Sequence, residues 1–490
     1  MKLSSTNQKP GPGIERPTVD GDEAAANRGP TSLLSRSVWL LLGITYVVAT
    51  VSRIANTWDG SYVLFRVLND GAPFIPHGRY VDALTAWPTV LASRLTGNVG
   101  FAQTVFSAIY AAIPLLVLAL SWWIVQSGHR RFFPWVVLGT TLAMLPGAIN
   151  ITAEANLAAL LAWPLMLGAL LGVDRPRLVV LALLGAVLVW THPLGIVLLA
   201  FAGGVAVLSG LRHRDRRRLF LWLAAMFGGF ACLSLVRFLL TKSPYESDQI
   251  SVTTVRVHFS TAVSGAPLLV LLLTLAIAAI VLTMPFNRFV SRTRVRGIDG
   301  DSALIILAAV LITLIGGVWA SHLRSWGGAI DYRTYVGIAA VVVMLFAVAD
   351  ALFQTGRHEP DGAAQTVRSV AACAAAAAFA IVFSIQCLTW RDANLRLHDD
   401  LARGAGSCLP ISALPWAAET ALGHWSVTPL TLMQQGRAPR RVIVTAASCD
   451  AANLATGIPV GTFYRQSLAG GWFNLQGILA GARTTARPAP

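Results

Sequence analysis

The 490-residue chain is poor in charged side chains, which make up only 12% of it. Soluble globular proteins carry about 25% charged residues, roughly twice this share. Since 55% of the residues are hydrophobic and the mean hydropathy is +0.62, the composition excludes an ordinary soluble enzyme and a disordered chain. It favours a membrane protein with many apolar helices.

Lysine and paired cysteines are also scarce, and both absences exclude functions. Lysine occurs only at positions 2, 9 and 242, and no lysine lies in a G-x-x-x-x-G-K-[ST] motif, so the chain carries no P-loop for ATP. Five cysteines without a C-x-x-C motif give no sign of a zinc ribbon or a redox dithiol. The basic excess, a net charge of +15, comes from 35 arginines and is explained better by membrane topology than by nucleic-acid binding.

About eleven apolar runs predict transmembrane helices, so the predicted fold is an all-α polytopic membrane protein. Their approximate bounds are 35–52, 102–125, 132–149, 157–172, 178–191, 194–210, 219–240, 267–285, 302–320, 335–353 and 370–389. The N-terminal tail and alternate loops, including Arg368, hold 20 Lys and Arg residues, whereas the loops of the other side hold 8. The positive-inside rule then predicts a multi-pass protein of the cell membrane with a cytoplasmic N-terminus and an extracytoplasmic C-terminus.

Composition divides the chain into three parts. Residues 1–34 are polar and rich in Pro and Gly, which predicts a disordered cytoplasmic tail. Residues 35–390 form the transmembrane module. Residues 391–490 predict a small α/β extracytoplasmic domain with short strands at 441–445 and 461–464. Cys408 and Cys449 both fall in this part and could form a disulfide in an oxidising compartment.

The long outer loop that follows the first span carries the most informative segment. Trp58 and Tyr62 are typical of the aromatic belt of a membrane interface, and the apolar residues that follow predict interfacial helices. Asp59 then lies at the boundary of water and lipid, where its carboxylate could act as a general base on a hydroxyl. The alternative is that Asp59 only caps a helix. Candidate substrate-binding residues farther along this loop are Asp70, His77, Arg79, Tyr80 and Asp82.

Three further ionisable residues lie at predicted outer ends of spans. Glu154 follows a short turn in an apolar context where burial could raise its pKa, although a helix-capping turn is the alternative. His192 precedes Pro193 and could bind phosphate, bind a metal or cap a helix. Arg237 could bind phosphate, or its side chain could reach the interface near Lys242.

A later outer loop combines cations with aromatic residues. Arg324 and Arg333 carry the planar guanidinium that suits a phosphate group. Trp326, Asp331 and Tyr332 suit stacking and hydrogen bonding with a sugar. The alternative is that the two arginines anchor the loop to lipid head groups.

A cytoplasmic N-terminus, a first span and a long outer loop with an early acid resemble the GT-C superfamily of membrane glycosyltransferases. The resemblance covers residues 35–390. It implies an inverting glycosyltransferase that takes a sugar from a polyprenyl phosphate at the outer membrane face. Asp59 matches the acid that activates the acceptor, with Asp70 and Asp82 as weaker candidates for that role. Glu154 is similar in placement to a second acid. The adjacent acid pair common in that superfamily is absent, because Gly60 follows Asp59.

These observations predict transfer of a glycosyl group to a glycan, lipid or protein acceptor of the cell envelope. The leaving phosphate would be stabilised by Arg324 and Arg333, with help from His192 or Arg237. No metal-ligand spacing is visible, so a requirement for a divalent cation stays open. The alternative functions are a multi-span transporter or flippase of envelope precursors and a non-catalytic envelope scaffold.

Overall fold

The computed structural model describes residues 30–125, 129–144, 148, 151–243, 332–353, 362–403 and 471–478, with parts of 246–260, 407–444 and 458–466. Helices dominate it. The helices are α1 (Pro30–Ser52), α2 (Asp59–Asp70), α3 (Val81–Thr96), α4 (Val99–Val125), α5 (Phe133–Met144), α6 (Glu154–Leu171), α7 (Arg175–Val189), α8 (Leu194–Arg212), α9 (Arg217–Thr241), α10 (Tyr332–Phe353), α11 (Gly362–Arg403) and α12 (Val427–Gln434). Four short strands follow α11: β1 (Cys408–Pro410), β2 (Val442–Val444), β3 (Ile458–Pro459) and β4 (Arg465–Gln466).

The chain is an all-α membrane protein in its main body. Among the described residues, five helical segments are long and apolar enough to cross a bilayer: Val99–Val125, Glu154–Leu171, Leu194–Arg212, Arg214–Thr241 and Arg368–Arg403. The segments Arg36–Ser52 and Ile338–Leu352 are apolar but shorter. Each predicted span in the described part of the chain corresponds to a helix. The spans predicted at 267–285 and 302–320 lie outside the described residues, so the count of eleven stays a prediction.

Helix α6 is the centre of the bundle. It is apolar on all sides, and 83% of its most apolar 18-residue stretch is buried inside the protein. A helix that is apolar on all sides is stable when all of its faces are covered. Helix α6 packs against α4, α8 and α10. By contrast, only 28% of the most apolar 18-residue stretch at α9 is buried. Trp222 and Leu240 of this helix are 74% and 80% exposed. Helix α9 therefore presents an apolar face to the surroundings of the bundle, as a helix at the lipid boundary does.

One arginine of the topology count lies in the protein interior. Arg368 is fully buried, and one of its Nη nitrogens lies 2.7 Å from Asp350 Oδ1. Trp135 Nε1 donates to the other carboxylate oxygen of Asp350 at 2.9 Å. The expectation that Arg368 is a basic loop residue is therefore wrong, because its charge is neutralised inside the bundle.

The segment between α1 and α4, which the sequence analysis predicts as the first outer loop and which keeps that name below, contains two helices with different surroundings. The apolar face of α2, formed by Leu64, Val67 and Leu68, is buried inside the protein rather than in lipid. Phe65 stacks on Phe473 with ring centroids 5.1 Å apart, and α12 packs against the same helix. The expectation that α2 lies in the membrane interface is therefore wrong. A tertiary partner far along the chain covers the face that the sequence pattern assigned to lipid.

The next helix, α3, has the character expected of an interfacial helix. Leu84, Trp87, Leu91 and Leu95 are 53–75% exposed and recur every three or four residues, so they form one stripe on the helix surface. Its other face packs against α4. An exposed apolar stripe beside a membrane-spanning bundle is what a helix lying in the bilayer interface presents.

The C-terminal segment is connected to the bundle by a continuous helix. Helix α11 has 42 residues and runs through the predicted domain boundary at 390 to Arg403. Beyond it, β1 and β2 pair in parallel and confirm the strand predicted at 441–445, whereas residues 461–464 lie outside the described residues. Cys408 is disulfide-bonded and Cys232, Cys373 and Cys387 are free, while the predicted partner Cys449 lies outside the described residues.

Candidate functional site

The site lies at one end of the bundle, where the first outer loop meets the ends of α6, α8 and α9. The loop has unusual backbone geometry. Among the described residues, Arg53, Trp58 and His77 are the non-glycine residues with positive φ, at 55°, 49° and 54°. Such conformations cost free energy and persist only where the surrounding structure enforces them, and they cluster at functional sites. The strained segment of the chain therefore coincides with the segment that carries the candidate residues.

Asp59 is the first residue of α2 and is half-buried. Its neighbour Gly60 is packed so closely that a β carbon there would overlap the carbonyl oxygen of Ala55 and lie 3.0 Å from Thr152 Cγ2. Glycine is therefore required at position 60. The close approach brings the turn that carries Asp59 against the turn that leads into Glu154.

Arg79 is the centre of a buried ionic cluster. One Nη nitrogen lies 3.0 Å from Glu154 Oε2, and the other lies 3.3 Å from Glu246 Oε1. The side chains of Arg79, Glu154 and Glu246 are only 10%, 19% and 7% exposed. Burial alone would lower the pKa of Arg79, but the two carboxylates outweigh it and raise this pKa. The arginine is therefore held in its charged form, and it joins three separate parts of the chain.

Glu246 is fixed by a reciprocal pair of hydrogen bonds that begins a helical turn. Ser243 N–H donates to Glu246 Oε2 at 3.1 Å, and Glu246 N–H donates to Ser243 Oγ at 3.2 Å. This is a capping box. The Nδ1 atom of His77 lies 3.0 Å from the same Ser243 hydroxyl. Burial and the charge of Arg79 both lower the pKa of His77, which favours its neutral form.

Arg237 approaches the cluster from the end of α9. Its Nη1 donates to the carbonyl oxygen of Gly78 at 3.1 Å, and its guanidinium lies 5.5 Å from the ring centroid of Trp190. Tyr80 contacts the same indole edge to face at 5.2 Å. Arg237 is only 7% exposed. It is therefore held beside the outer loop by a cation–π contact and a backbone acceptor.

Two buried N–H donors of the cluster point to a missing acceptor. In the part of the chain that the structure describes, neither the Nε–H of Arg79 nor that of Arg237 has a hydrogen-bond acceptor. Buried polar groups are nearly always paired in folded proteins, and an unpaired one costs about 1–3 kcal/mol. Two such donors on neighbouring guanidinium groups suit an anionic ligand with several oxygens.

Asp82 lies beside this cluster as a second kind of acid. It is 4% exposed, and among the described residues its Oδ2 has no donor. Burial, and next the charge of Glu154, raise the pKa of Asp82 well above its usual range, although Arg79 acts in the opposite direction. Asp82 therefore keeps its proton to a higher pH than an exposed aspartate does.

His192 has a structural partner as well as a place near the cluster. Its Nδ1 accepts a hydrogen bond from Leu194 N–H at 3.1 Å, at the start of α8. The capping role is thus observed, and the ring also interacts electrostatically with Glu154. Because Nδ1 caps the helix, phosphate or metal binding by His192 would use the other ring nitrogen, and both of these roles stay predictions.

The remaining candidates lie elsewhere or outside the described residues. Asp70 forms an i,i+4 ion pair with Arg66 at 3.0 Å at the end of α2. Tyr332 and Arg333 begin α10. Arg324, Trp326 and Asp331 lie outside the described residues. The structure therefore gathers His77, Arg79, Tyr80, Asp82, Glu154, His192 and Arg237 at one place.

Sequence reasoning missed two members of the site, Glu246 and Trp190. A signal for Glu246 was present, because the segment from Ser243 to Glu246 has the S-x-x-E spacing of a capping box. Trp190 adjoins His192 in sequence, but only the fold shows that it supports Arg237. No group of three or more His, Cys, Asp and Glu residues that could hold a metal ion occurs among the described residues.

Comparison with known proteins adds no assignment: no family model, no curated protein and no solved structure matches the chain. The fold and site define a helical membrane protein with a buried cluster of acids and arginines at one end of its bundle.

The environment of Asp82 predicts a pH dependence of stability. Because folding raises the pKa of Asp82, its stability contribution is full below the unfolded pKa, about 3.9, and is lost as pH rises through the folded pKa. Asp82→Asn removes this titration. We expect the melting temperature of the variant, relative to the parent chain, to rise as the pH increases from 4 to 8. Thermal unfolding in one detergent checks this, and a difference independent of pH would contradict it.

Proposed function

We propose that the chain is a membrane glycosyltransferase that moves a sugar from a polyprenyl phosphate to an acceptor hydroxyl of the cell envelope. The observation that carries this proposal is the pair of buried arginines, Arg79 and Arg237, with unpaired Nε–H donors beside two acid-bearing turns. A phosphate leaving group needs such donors, and an acceptor hydroxyl needs a base. Both requirements meet at one end of the bundle.

Asp59 is the proposed general base. The competing acids Glu154 and Glu246 are both bound to Arg79, which favours a structural role for them. Asp59 takes the proton of the acceptor hydroxyl, and the hydroxyl oxygen attacks the anomeric carbon. The bond from this carbon to the phosphate oxygen breaks, and the polyprenyl phosphate leaves with the electron pair. A single displacement of this kind inverts the configuration of the sugar.

The arginines stabilise the charge that develops on the phosphate. Arg237 and Arg79 offer the two Nε–H donors described above, and His192 lies close to the same cluster. Preorganised donors of this kind act strongly in a site from which water is excluded. Arg324 and Arg333 stay predicted members of the phosphate site, and Trp326, Asp331 and Tyr332 stay predicted sugar contacts. Any need for a divalent cation stays open.

Access for a lipid substrate is supported by the surface next to the cluster. Tyr80 is 55% exposed and precedes the apolar stripe of α3, which begins at Leu84. Its ring meets that of Trp190, which supports Arg237. A polyprenyl chain could therefore lie along α3 while its phosphate reaches the arginines.

The same proposal includes the orientation in the membrane. At the end of the bundle opposite the cluster, the helix ends and turns carry many arginines: Arg130, Arg131, Arg175, Arg177, Arg212, Arg214, Arg216, Arg217 and Arg218. The positive-inside rule assigns such an end to the cytoplasm. The cluster, the first outer loop and the C-terminal segment are then extracytoplasmic.

We expect Asp59→Asn to lower the transfer rate by at least about 100-fold, because a general base typically contributes 10²–10⁴-fold. Glu154→Gln should also lower it, since Arg79 loses a partner. The measurement is release of polyprenyl phosphate from a panel of polyprenyl-phosphate pentoses and hexoses by the purified full-length chain with envelope glycan.

The matched control is Asp174→Asn. Asp174 caps α7 at the opposite end of the bundle through Arg177 N–H, and asparagine caps equally well. It should keep the parent rate. Full activity of Asp59→Asn would contradict the role of this base. Movement of intact lipid-linked sugar across a vesicle, without release of polyprenyl phosphate, would instead support the transporter or flippase.

The proposed orientation can be measured with single cysteines at the two ends. Thr96→Cys lies at the exposed end of α3, and Asp215→Cys replaces a side chain that is 75% exposed at the opposite end. We expect a membrane-impermeant maleimide to label position 96 in intact cells and position 215 only after lysis. The parent chain measures the background from native cysteines. The reverse pattern would place the cluster in the cytoplasm and refute the proposed site.

A further inference from the structure

A cavity separate from the Arg79 cluster lies between the ends of α1, α4, α11 and α12. Its volume is about 540 Å³, within the range of roughly 300–1,000 Å³ typical of small-molecule sites. We call it the arginine pocket after three lining residues, Arg53, Arg391 and Arg437. None of its lining residues belongs to the Arg79 cluster.

The arginine pocket has an unbalanced positive charge. No Asp or Glu occurs among the described residues that line it, and no described acid forms an ion pair with its arginines. Within the described residues the guanidinium of Arg53 donates to neutral groups, at 2.9 Å to Gln103 Oε1 and at 3.2 Å to Thr104 Oγ1. Arg437 lies 5.7 Å from the ring centroid of Trp472. Three guanidinium groups without a counter-charge favour an anionic ligand.

Two buried hydrogen-bond acceptors in the lining of the arginine pocket indicate that the ligand has hydrogen-bond donors as well as negative charge. Asn56 is 2% exposed, and its Oδ1 has no donor within the described structure. Gln434 Oε1 also has no donor within the described structure. Its orientation is fixed because Gln434 Nε2 donates to Asn394 Oδ1 at 2.8 Å. A carbonyl oxygen needs an O–H or N–H donor. A fully ionised inorganic anion supplies no such donor, whereas a sugar supplies several hydroxyls.

We propose that the arginine pocket binds a hydroxyl-bearing anion, namely a phosphorylated saccharide or polyol. The phosphate contacts the arginines, and the hydroxyls donate to Asn56 and Gln434. Both a soluble sugar phosphate and an inositol phospholipid head group have this chemistry. The inference is independent of the proposed transfer reaction, since it uses none of the residues assigned to that reaction.

The test uses the purified full-length chain in nanodiscs of neutral phosphatidylcholine. Isothermal titration compares glucose 1-phosphate, sulfate (a fully ionised anion without a donor) and glucose. We expect glucose 1-phosphate to bind at least about tenfold more tightly than either partial ligand, since it satisfies both groups. Equal binding of glucose and glucose 1-phosphate, or no binding of any of the three, would overturn the proposal.

Arg391→Gln is the informative variant, because Arg391 is exposed on α11 and its replacement leaves the bundle intact. It should weaken glucose 1-phosphate binding by about tenfold or more, the loss typical of one charge-assisted hydrogen bond. The matched control is Arg396→Gln, on the same helix and exposed but outside the pocket lining. An equal loss in both variants would overturn the proposal, since it would indicate only general electrostatic attraction.

The source of the ligand is distinguished by adding phosphatidylinositol to the nanodiscs. If this lipid abolishes binding of glucose 1-phosphate in the parent chain, the pocket takes a lipid head group. If binding is unchanged, the pocket takes a soluble saccharide. Both results support the chemistry of the pocket, and neither bears on the transfer assay.

Discussion

The bridge from Arg79 to Glu154 and Glu246 is the interaction on which the end of the bundle that carries the candidate site depends. It joins the first outer loop, the start of α6 and the segment after α9, which are far apart in sequence. Removing one partner from a buried ion pair typically costs about 3–5 kcal/mol, because the remaining charge is left uncompensated. The three segments are therefore held together by electrostatics rather than by apolar packing alone.

The same bridge explains why the loop tolerates strained backbone. His77 has a φ of 54° two residues before Arg79, and its ring meets the Ser243 hydroxyl that also caps Glu246. The energy needed for this conformation is offset by the hydrogen bonds that link His77, Ser243 and Glu246. The strained backbone at His77 and the ion pairs of Arg79 therefore involve the same contacts with Ser243 and Glu246.

Helices could be predicted from the sequence because a bilayer demands runs of about 20 apolar residues, and such runs are visible in one chain. Arg79, Glu154, His192 and Arg237 could be selected individually as polar residues at span ends. Their pairing could not be predicted, since it depends on how helices pack. The prediction that α2 lies against lipid was wrong for the same reason. An amphipathic pattern shows that one face of a helix is covered, but it does not show whether lipid covers that face or a distant part of the chain, here Phe473, about 400 residues downstream.

The arginines of the chain fall into two groups with different proposed roles. The arginines at the end opposite the cluster fit an orientation signal, whereas Arg79, Arg237 and the three arginines of the arginine pocket belong to the sites at which we propose that anions bind. Total charge alone could not separate these groups. Burial, neutral partners and unpaired donors do so.

The central claim, that Arg79 organises the site through its two carboxylates, is tested most directly by neutralising the whole cluster. The measurement is the melting temperature of Arg79→Met and of the triple variant Arg79→Met, Glu154→Gln and Glu246→Gln in the same detergent. Our account predicts a large fall for the single variant and recovery of most of it in the triple variant, because Glu154 and Glu246 are then no longer carboxylates buried without the charge of Arg79. A triple variant that melts at or below the single one would contradict it.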